Sequence, residues 1–423
     1  MGRGLVGVDR PTPNKEPALS SLIRFRSFRV AAAVAVVSGT AGLATLTTMA
    51  TSAQADPSFV SAYAGVGADV TQDVYAGLSG ASPAPPAGTT NFYLPLHSSG
   101  ATNNKTIDSF DAAPAGGTTL NPGCVTTKLG GPSFDRPNST TAGIGALLAA
   151  VNGTGWQNAA ASCTGAPVNV TGQIDFARAA RGPKSSGTTL TFVPFARDAL
   201  GVLQFDHGTA HLATLTTAQL TALYSSSTGT STINGDTVSA CLTISGSTPR
   251  SNLEAAIGVS DATANTAANA AGCNNIQQNS GDNFYTFASG LAAGSDAVIP
   301  ISSGSWISQA NGVAVDRSSA ARAGGVDLAA IDALGKPYTG SAPSEVPSTT
   351  YYQSSQYGYN VYTVLPTTKI TGFTKDAALV SLFVSNTSAL CSTTEQSLVN
   401  TFGFDSLTVS EGTCGSTTTT GNS

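Results

Sequence analysis

Ala64–Leu78, AGVGADVTQDVYAGL, reads as the end of a strand, a glycine-rich turn and the first turns of a helix. Phe59–Ala64 is aromatic and apolar enough for a strand, and Gly65 and Gly67 break it. Asp69 stands at the N-cap position with Gln72 three residues on, a variant of the capping box, and Val70, Val74 and Leu78 share one helical face. A helix N-terminus at the end of a strand offers unpaired N–H groups and a positive dipole end, so it can hold an anion. An ordinary capped helix of an α/β domain has the same pattern. What separates the two readings is whether similar junctions follow.

They do. In Ser133–Ile144 (SFDRPNSTTAGI), Ser139 or Thr140 can cap a helix whose Ile144, Leu147, Leu148 and Val151 lie at helical spacing, and Gly153 ends it. Gln173–Pro183 (QIDFARAARGP) is a strand running into a Gly-Pro turn. Ser239–Ile244 is strand-like and leads into Ser245–Arg250, where Thr248 as N-cap and Pro249 at N1 start a helix through Leu253 and Ile257 to Gly258. Asp282 is placed to cap a fifth helix carrying Phe284, Phe287 and Leu291. Thr189–Phe205 is apolar, contains Pro194 and is too long for a typical single strand, so it can carry the chain from one lobe to another. Leu215–Tyr224 reads as a helix capped at Thr216 or Thr217. Ala297–Ser302 and Tyr359–Leu365 read as late strands, the second returning the chain to the first lobe. Ala377–Val384 is the last helix, and residues 415–423 read as a disordered Ser/Thr-rich tail.

Residues 1–55 are expected to stay out of the fold. Arg24, Arg26 and Arg29 precede the small apolar run Val30–Ala50, and Ala53-Gln54-Ala55 is an A-x-A site before Asp56, the pattern of a cleaved secretory signal peptide. No cysteine follows that run closely, so no lipid anchor is indicated, and no other segment is long and apolar enough to span a bilayer. Of 19 Lys/Arg and 24 Asp/Glu, this segment holds six and two, leaving 13 against 22 and a net charge of −9 over 368 residues. Such a chain has no clustered cations for a phosphate backbone, which excludes nucleic acid as a partner. Its six cysteines read as structural disulfides, and neighbours in sequence (Cys124 with Cys163, Cys241 with Cys273, Cys391 with Cys414) would each close a moderate loop.

GVGADVTQDV, FDRPNSTTAGI, IDFARAARGP, FVPFARDA, LTTAQLTALY, SGSTPR and AVIPISSGSWISQANG occur in the order seen in the phosphate-binding proteins of ABC transporters. Over Phe59 to Leu407 the chain resembles that family, in its secreted actinobacterial branch. The resemblance implies the type 2 periplasmic-binding-protein fold, α/β, with two lobes joined by two crossing strands as a hinge. Lobe I would be 56–198 plus 345–414 and lobe II 199–344. It implies a monomeric, secreted, non-enzymatic solute-binding protein that holds an inorganic oxyanion, foremost phosphate, in the interlobe cleft without metal or cofactor and hands it to an ABC permease. Carried onto this sequence, the ligand-binding residues would be Asp69, Val70 and Thr71 in the first loop and Ser139 and Thr140 in the second. Arg181 would serve in the third, and Gly246, Ser247, Thr248 and Arg250 in the fourth.

Three of the four loops depart from the family's pattern. Asp69 stands where the family has Ser or Thr; a carboxylate there repels a fully ionised oxyanion but can accept the proton of monohydrogen phosphate. Ala180-Arg181 replaces a Ser-Asp pair, which removes an acceptor and adds a cation. Pro249 removes one N–H from the fourth loop. These changes leave room for two alternatives: a secreted phosphatase-like hydrolase using the same cleft, or a relative without solute binding that acts as an extracellular interaction protein. Asp206-His207 with His211 (DHGTAH) could form a metal pair, yet it lacks the Glu of HExxH and reads as structural.

Overall fold

The computed structural model describes Asp56 and residues 62–80, 93–113, 118–158, 162–207 and 212–423 apart from 409 and 411. The expected signal peptide lies outside the described residues, as does His211 of the DHGTAH motif. Among the described residues, no helix is long and apolar enough to cross a membrane.

The first lobe begins with β1 (Tyr63–Gly67), a single 3-10 turn at Asp69–Thr71, α1 (Gln72–Leu78) and β2 (Ile107–Ser109). It continues with α2 (Thr140–Asn152) and β3 (Phe176–Ala179) before the long β4 (Leu190–Phe205). The second lobe adds α3 (Thr217–Tyr224), the hairpin β5 (Thr230–Ile233) and β6 (Asp236–Ala240), α4 (Thr248–Ile257), α5 (Asp261–Ala270), α6 (Gly281–Ala288), β7 (Ser295–Ser302) and α7 (Ser303–Ala310). β8 (Gly358–Pro366) brings the chain back, and α8 (Ala377–Phe383) and α9 (Thr393–Thr401) close the first lobe.

One mixed sheet in the order β5-β6-β7-β4-β8-β3-β1-β2 runs through both lobes. β4 is the element that joins them. Its residues Leu190–Ala199 pair antiparallel with β8, and Leu200–Phe205 pair antiparallel with β7, so it changes partner at the Ala199/Leu200 step. Every residue of β4 except Gln204 is buried, which is why the segment reads as mostly apolar, with no alternation, apart from the buried pair Arg197 and Asp198. The register against β8 shifts between Val361 and Tyr362, where Ala196 and Pro194 are successive partners. Phe195 is the extra residue of that bulge, and Pro194, which has no N–H to give a regular ladder, sits beside it.

The hydrophobic cores divide accordingly. Two clusters, one around Tyr75, Phe176 and Phe195 and one around Phe134, Leu147 and Phe192, fill the first lobe. Two others, around Leu200, Leu223 and Leu253 and around Phe284, Ile299 and Trp306, fill the second. Tyr351, Tyr352 and Tyr357 pack in the core around Leu200, Leu223 and Leu253, and Tyr352 also donates its hydroxyl to the Gly403 carbonyl, at the junction of the two lobes. The two-lobed α/β architecture with two crossing strands, implied by the family resemblance, is present.

Local details differ from the sequence reading in instructive ways. Asp69 does not cap a helix: the 3-10 turn has Ala68 at its N-cap, with no side-chain cap, and the Asp69 carboxylate is used elsewhere. Ser247 rather than Thr248 is the N-cap of α4, and Ser280 rather than Asp282 caps α6. Asp282 instead accepts the N–H of Ala321. Thr216 forms a full capping box with Gln219, and Ser139 caps α2. The three disulfides join Cys124 to Cys163, Cys241 to Cys273 and Cys391 to Cys414. Residues 415–423, expected as a disordered tail, contain a short strand, Thr420–Gly421, paired with Thr191 and Leu190. β4 has open ladder positions there, and backbone pairing needs no apolar side chains.

Candidate ligand-binding cleft

α2 and α4 start on opposite sides of the cleft and meet at their first residues. Thr140 Oγ1 and Thr248 Oγ1 lie 3.4 Å apart. α2 reaches this point because it packs unusually close to β1: a Cβ on Gly143 would come 2.5 Å from the Cα of Gly67, so only glycine fits at this crossing. The first N–H groups of each helix have no intrahelical partner, so two positive dipole ends meet at this point. Thr140 Oγ1 is itself fixed by accepting the N–H of Ala180 at 3.0 Å, which ties α2 to the end of β3.

Three further contacts cross the cleft. Asn279 Nδ2 donates to Asp69 Oδ2 at 2.6 Å, and the Asn279 Oδ1 accepts the N–H of Ser302. Gln277 Oε1 accepts both the N–H and the hydroxyl of Thr119, at 3.0 and 3.1 Å. Arg317 Nη1 lies 3.8 Å from Asp73 Oδ2. The lobes are therefore closed on each other, with polar groups meeting polar groups.

Several buried charges lie on the first-lobe side of this cleft. Asp69, Asp73 and Asp111 are all buried, and Arg178 is fully so. Burial raises the pKa of Asp69, against the pull of Arg317, the Asn279 hydrogen bond and Arg178. It raises Asp73 to about 6 and, with Asp73 as a repelling neighbour, Asp111 to about 7. Arg178 is pulled down to about 10 by burial, although the same carboxylates oppose this. Its guanidinium donates to Ser109 Oγ at 2.6 Å and to the carbonyls of Ala68, Gly65 and Gly67, so it braces the carboxyl ends of β1 and β2 from beneath. Burial would lower Arg317, yet Asp73, Asp69 and Asp111 overcome that and raise it.

Several polar atoms here are buried without a partner: Gln72 Nε2, Gln278 Nε2 and Asp73 Oδ1. Gln72 Oε1 is held by the N–H of Ala112 at 2.9 Å, which fixes the amide so that Nε2 is left as a donor. Gln72 is three residues from Asp69, and Gln278 is next to Asn279. Residues close in sequence to Asp69 and Asn279 thus carry two unused donors and one unused acceptor. Such a set suits a ligand that both accepts and donates hydrogen bonds.

The residues expected to bind ligand are spread unevenly. Asp69, Thr140 and Thr248 lie at the cleft contacts, and Val70 and Thr71 are buried beside Asp69, with the Thr71 hydroxyl donating to the Ala68 carbonyl at 3.3 Å. Ser139 is occupied as the cap of α2, and Ser247 Oγ pairs with Thr243 Oγ1 at 2.7 Å. Gly246 makes the turn before α4 with φ +77°. Arg181 is half-buried, with Nη2 on Thr141 Oγ1 and Nη1 on the Gly182 carbonyl. Arg250 is committed within the second lobe: its guanidinium meets Glu254, Asp261, the Thr243 carbonyl and Asn265. It anchors α4 and α5 rather than reaching the gap. The sequence reading missed Asp111, Arg178, Asn279 and Arg317. Only Arg178 carried a local signal, a charged residue inside the apolar strand Phe176–Ala179.

The hinge has its own anchor. Asp198, fully buried on β4, accepts from the N–H of Ala199 and of Gly304, the hydroxyl of Ser302 and that of Tyr359, at 2.6 to 2.9 Å. Arg197, beside it, donates to the Tyr352 carbonyl and to Asn360, binding the two crossing strands together.

No family model and no curated protein matches this chain. Among solved structures it is similar to a candidate phosphate ABC transporter substrate-binding protein from Clostridium perfringens, determined with bound phosphate: 11% identity, 82% of this chain and 99% of that one, TM-score 0.43. It is also similar to an ABC-type phosphate transport receptor from Vibrio cholerae (18% identity, 64% and 86%, TM-score 0.37). A phosphate binding protein from Stenotrophomonas maltophilia matches at 13% identity, 82% and 91%, TM-score 0.39. These likenesses are distant. The two-lobed fold rests on the strand order and pairing of this chain itself.

Proposed function

We propose that this chain is a solute-binding protein that closes its two lobes around a protonated inorganic oxyanion, with monohydrogen phosphate the foremost candidate. The observation that carries this reading is the pairing of two opposed helix starts, at Thr140 and Thr248, with a buried acid, Asp69, in the same cleft. Helix N-termini favour negative charge without a cation. A carboxylate among them selects an anion with a proton to donate. Arg317, Gln72 Nε2 and Gln278 Nε2 supply further donors, and Asp73 Oδ1 a further acceptor. Sulfate, fully ionised at neutral pH, has no proton for either acid.

In this reading the chain is exported and monomeric, performs no chemistry on its ligand, and delivers it to a permease. Asp69, Thr140 and Thr248 contact the ligand with Val70 and Thr71 behind them, and Ser139, Gly246 and Ser247 shape the two helix starts. Arg181 stands at the side of the gap and Arg250 supports α4. A thermal-shift series with phosphate, arsenate and sulfate tests the assignment: phosphate and arsenate raise the melting temperature, and sulfate does not. Arg317→Ala lowers the phosphate shift. Equal shifts with all three anions, or none, would sink it.

A further inference from the structure

The motif Asp206-His207, set aside as a histidine metal pair, lies in a different kind of cluster. Asp206 follows the last residue of β4, Asp236 opens β6, and Asp296 is the second residue of β7. The sheet brings them together: Asp296 is paired with Val238 of β6, and its neighbour Ala297 with Phe205 of β4. Asp236 stands at the tip of the β5–β6 hairpin, whose Asn234-Gly235 turn has φ +51° and +108°. One carboxylate oxygen from each of the three acids lies within 4.8 Å of the other two.

Three acids alone would not make a site. The second observation is Asp296. Its side chain is only 1% exposed, Oδ1 accepts the N–H of His207 at 3.0 Å, and Oδ2 is buried with no hydrogen-bond partner. A buried carboxylate oxygen left bare beside two other acids is electrostatically costly unless a proton neutralises it or a cation meets it. Among the described residues, the groups shown beside it do not supply one. His207 turns its Nδ1 to the Ser295 carbonyl at 3.0 Å and packs its ring edge-on to Phe205, while Asp206 Oδ2 accepts the N–H of Leu212.

We infer that Asp206, Asp236 and Asp296 form a calcium site at the end of the second-lobe sheet, away from the ligand cleft. The donor set is all oxygen, which selects a hard cation over zinc or copper. Three protein carboxylates suit calcium, which accepts a flexible all-oxygen shell, better than magnesium, which holds its waters and is bound through one or two carboxylates. Asp206 and Asp236 are half-exposed, so water completes the coordination. The ion would clip the β5–β6 hairpin to β7 and to the far end of the crossing strand.

The test is a calorimetric titration of the chelator-treated chain with calcium chloride, paired with melting curves in calcium and in chelator. One calcium per chain is expected, with a half-saturation near about 10⁻⁴ M and a melting temperature a few degrees higher in millimolar calcium than in chelator. Asp296→Asn removes both the heat and the shift, yet melts no lower than the parent chain in chelator because one like charge is gone. Asp236→Asn, at an exposed turn, weakens binding at least tenfold without loss of fold. Absence of heat and shift in the parent chain, or calcium binding unchanged in both variants, would overturn the site.

Discussion

Asn279 Nδ2 reaches across the cleft to Asp69 Oδ2 at 2.6 Å, so the acid that departs from the pattern of the phosphate-binding proteins this sequence resembles is held by the opposite lobe. That one contact couples lobe closure to the chemistry of residue 69. Asp69→Asn keeps an acceptor for Asn279 but removes the negative charge that excludes an ionised ligand. The variant is expected to bind sulfate, with the phosphate-to-sulfate preference reduced at least tenfold, which is about 1.4 kcal/mol. Competition titrations of the two anions measure it.

The buried acids predict a pH response. Asp111 has an ordinary value of 3.8 and is raised to about 7 in the folded chain, and Asp73 is raised to about 6. Between those limits the folded state binds more protons than the unfolded one. Their stabilisation is therefore complete below about pH 4 and is lost as pH rises through about 6 and 7. Asp111→Asn mimics the protonated form at every pH. It should match the parent chain only below about pH 4 and exceed it at pH 8 by up to about 4 kcal/mol, as read from denaturant midpoints.

The Cys241–Cys273 disulfide ties the end of β6 to the segment that leads into Gln277, Gln278 and Asn279. It closes a loop with sequence separation 32. Replacing both cysteines by alanine should cost about 3–4 kcal/mol, mostly by freeing the unfolded chain. Phosphate affinity should fall as well, because Asn279 loses its anchor. Denaturant melts and a ligand titration on the same variant separate the two effects.

Asp198 accepts four donors at the point where β4 passes from one lobe to the other. Asp198→Ala leaves the Ser302 and Tyr359 hydroxyls and two N–H groups unpaired in the interior, a loss of about 3–5 kcal/mol. Hydrogen exchange should rise first in β4 and β8 near the hinge. Unchanged stability in this variant would contradict the role assigned to the carboxylate.

Much of this frame was legible in the sequence because it is local. The 16-residue, mostly apolar run of β4, the capping box at Thr216 and the glycine at the end of α2 each declare themselves within a few positions. The candidate site was only half legible for the opposite reason. Asn279 meets Asp69 across 210 positions, and no spacing rule links them. The fate of Asp69 shows the same limit: the cap pattern was present, yet a partner from the other lobe claimed the side chain. Arg250 was the converse, a residue matched by motif but drawn away by Glu254, Asp261 and Asn265 of its own lobe.

The most direct test of the central claim is a calorimetric titration of refolded, ligand-stripped protein with phosphate and with sulfate at pH 7. One phosphate per chain with a measurable heat, and none for sulfate, is the result expected from a cleft that requires a proton on its ligand. Sulfate binding as tightly as phosphate, or no heat from phosphate or arsenate, would contradict it.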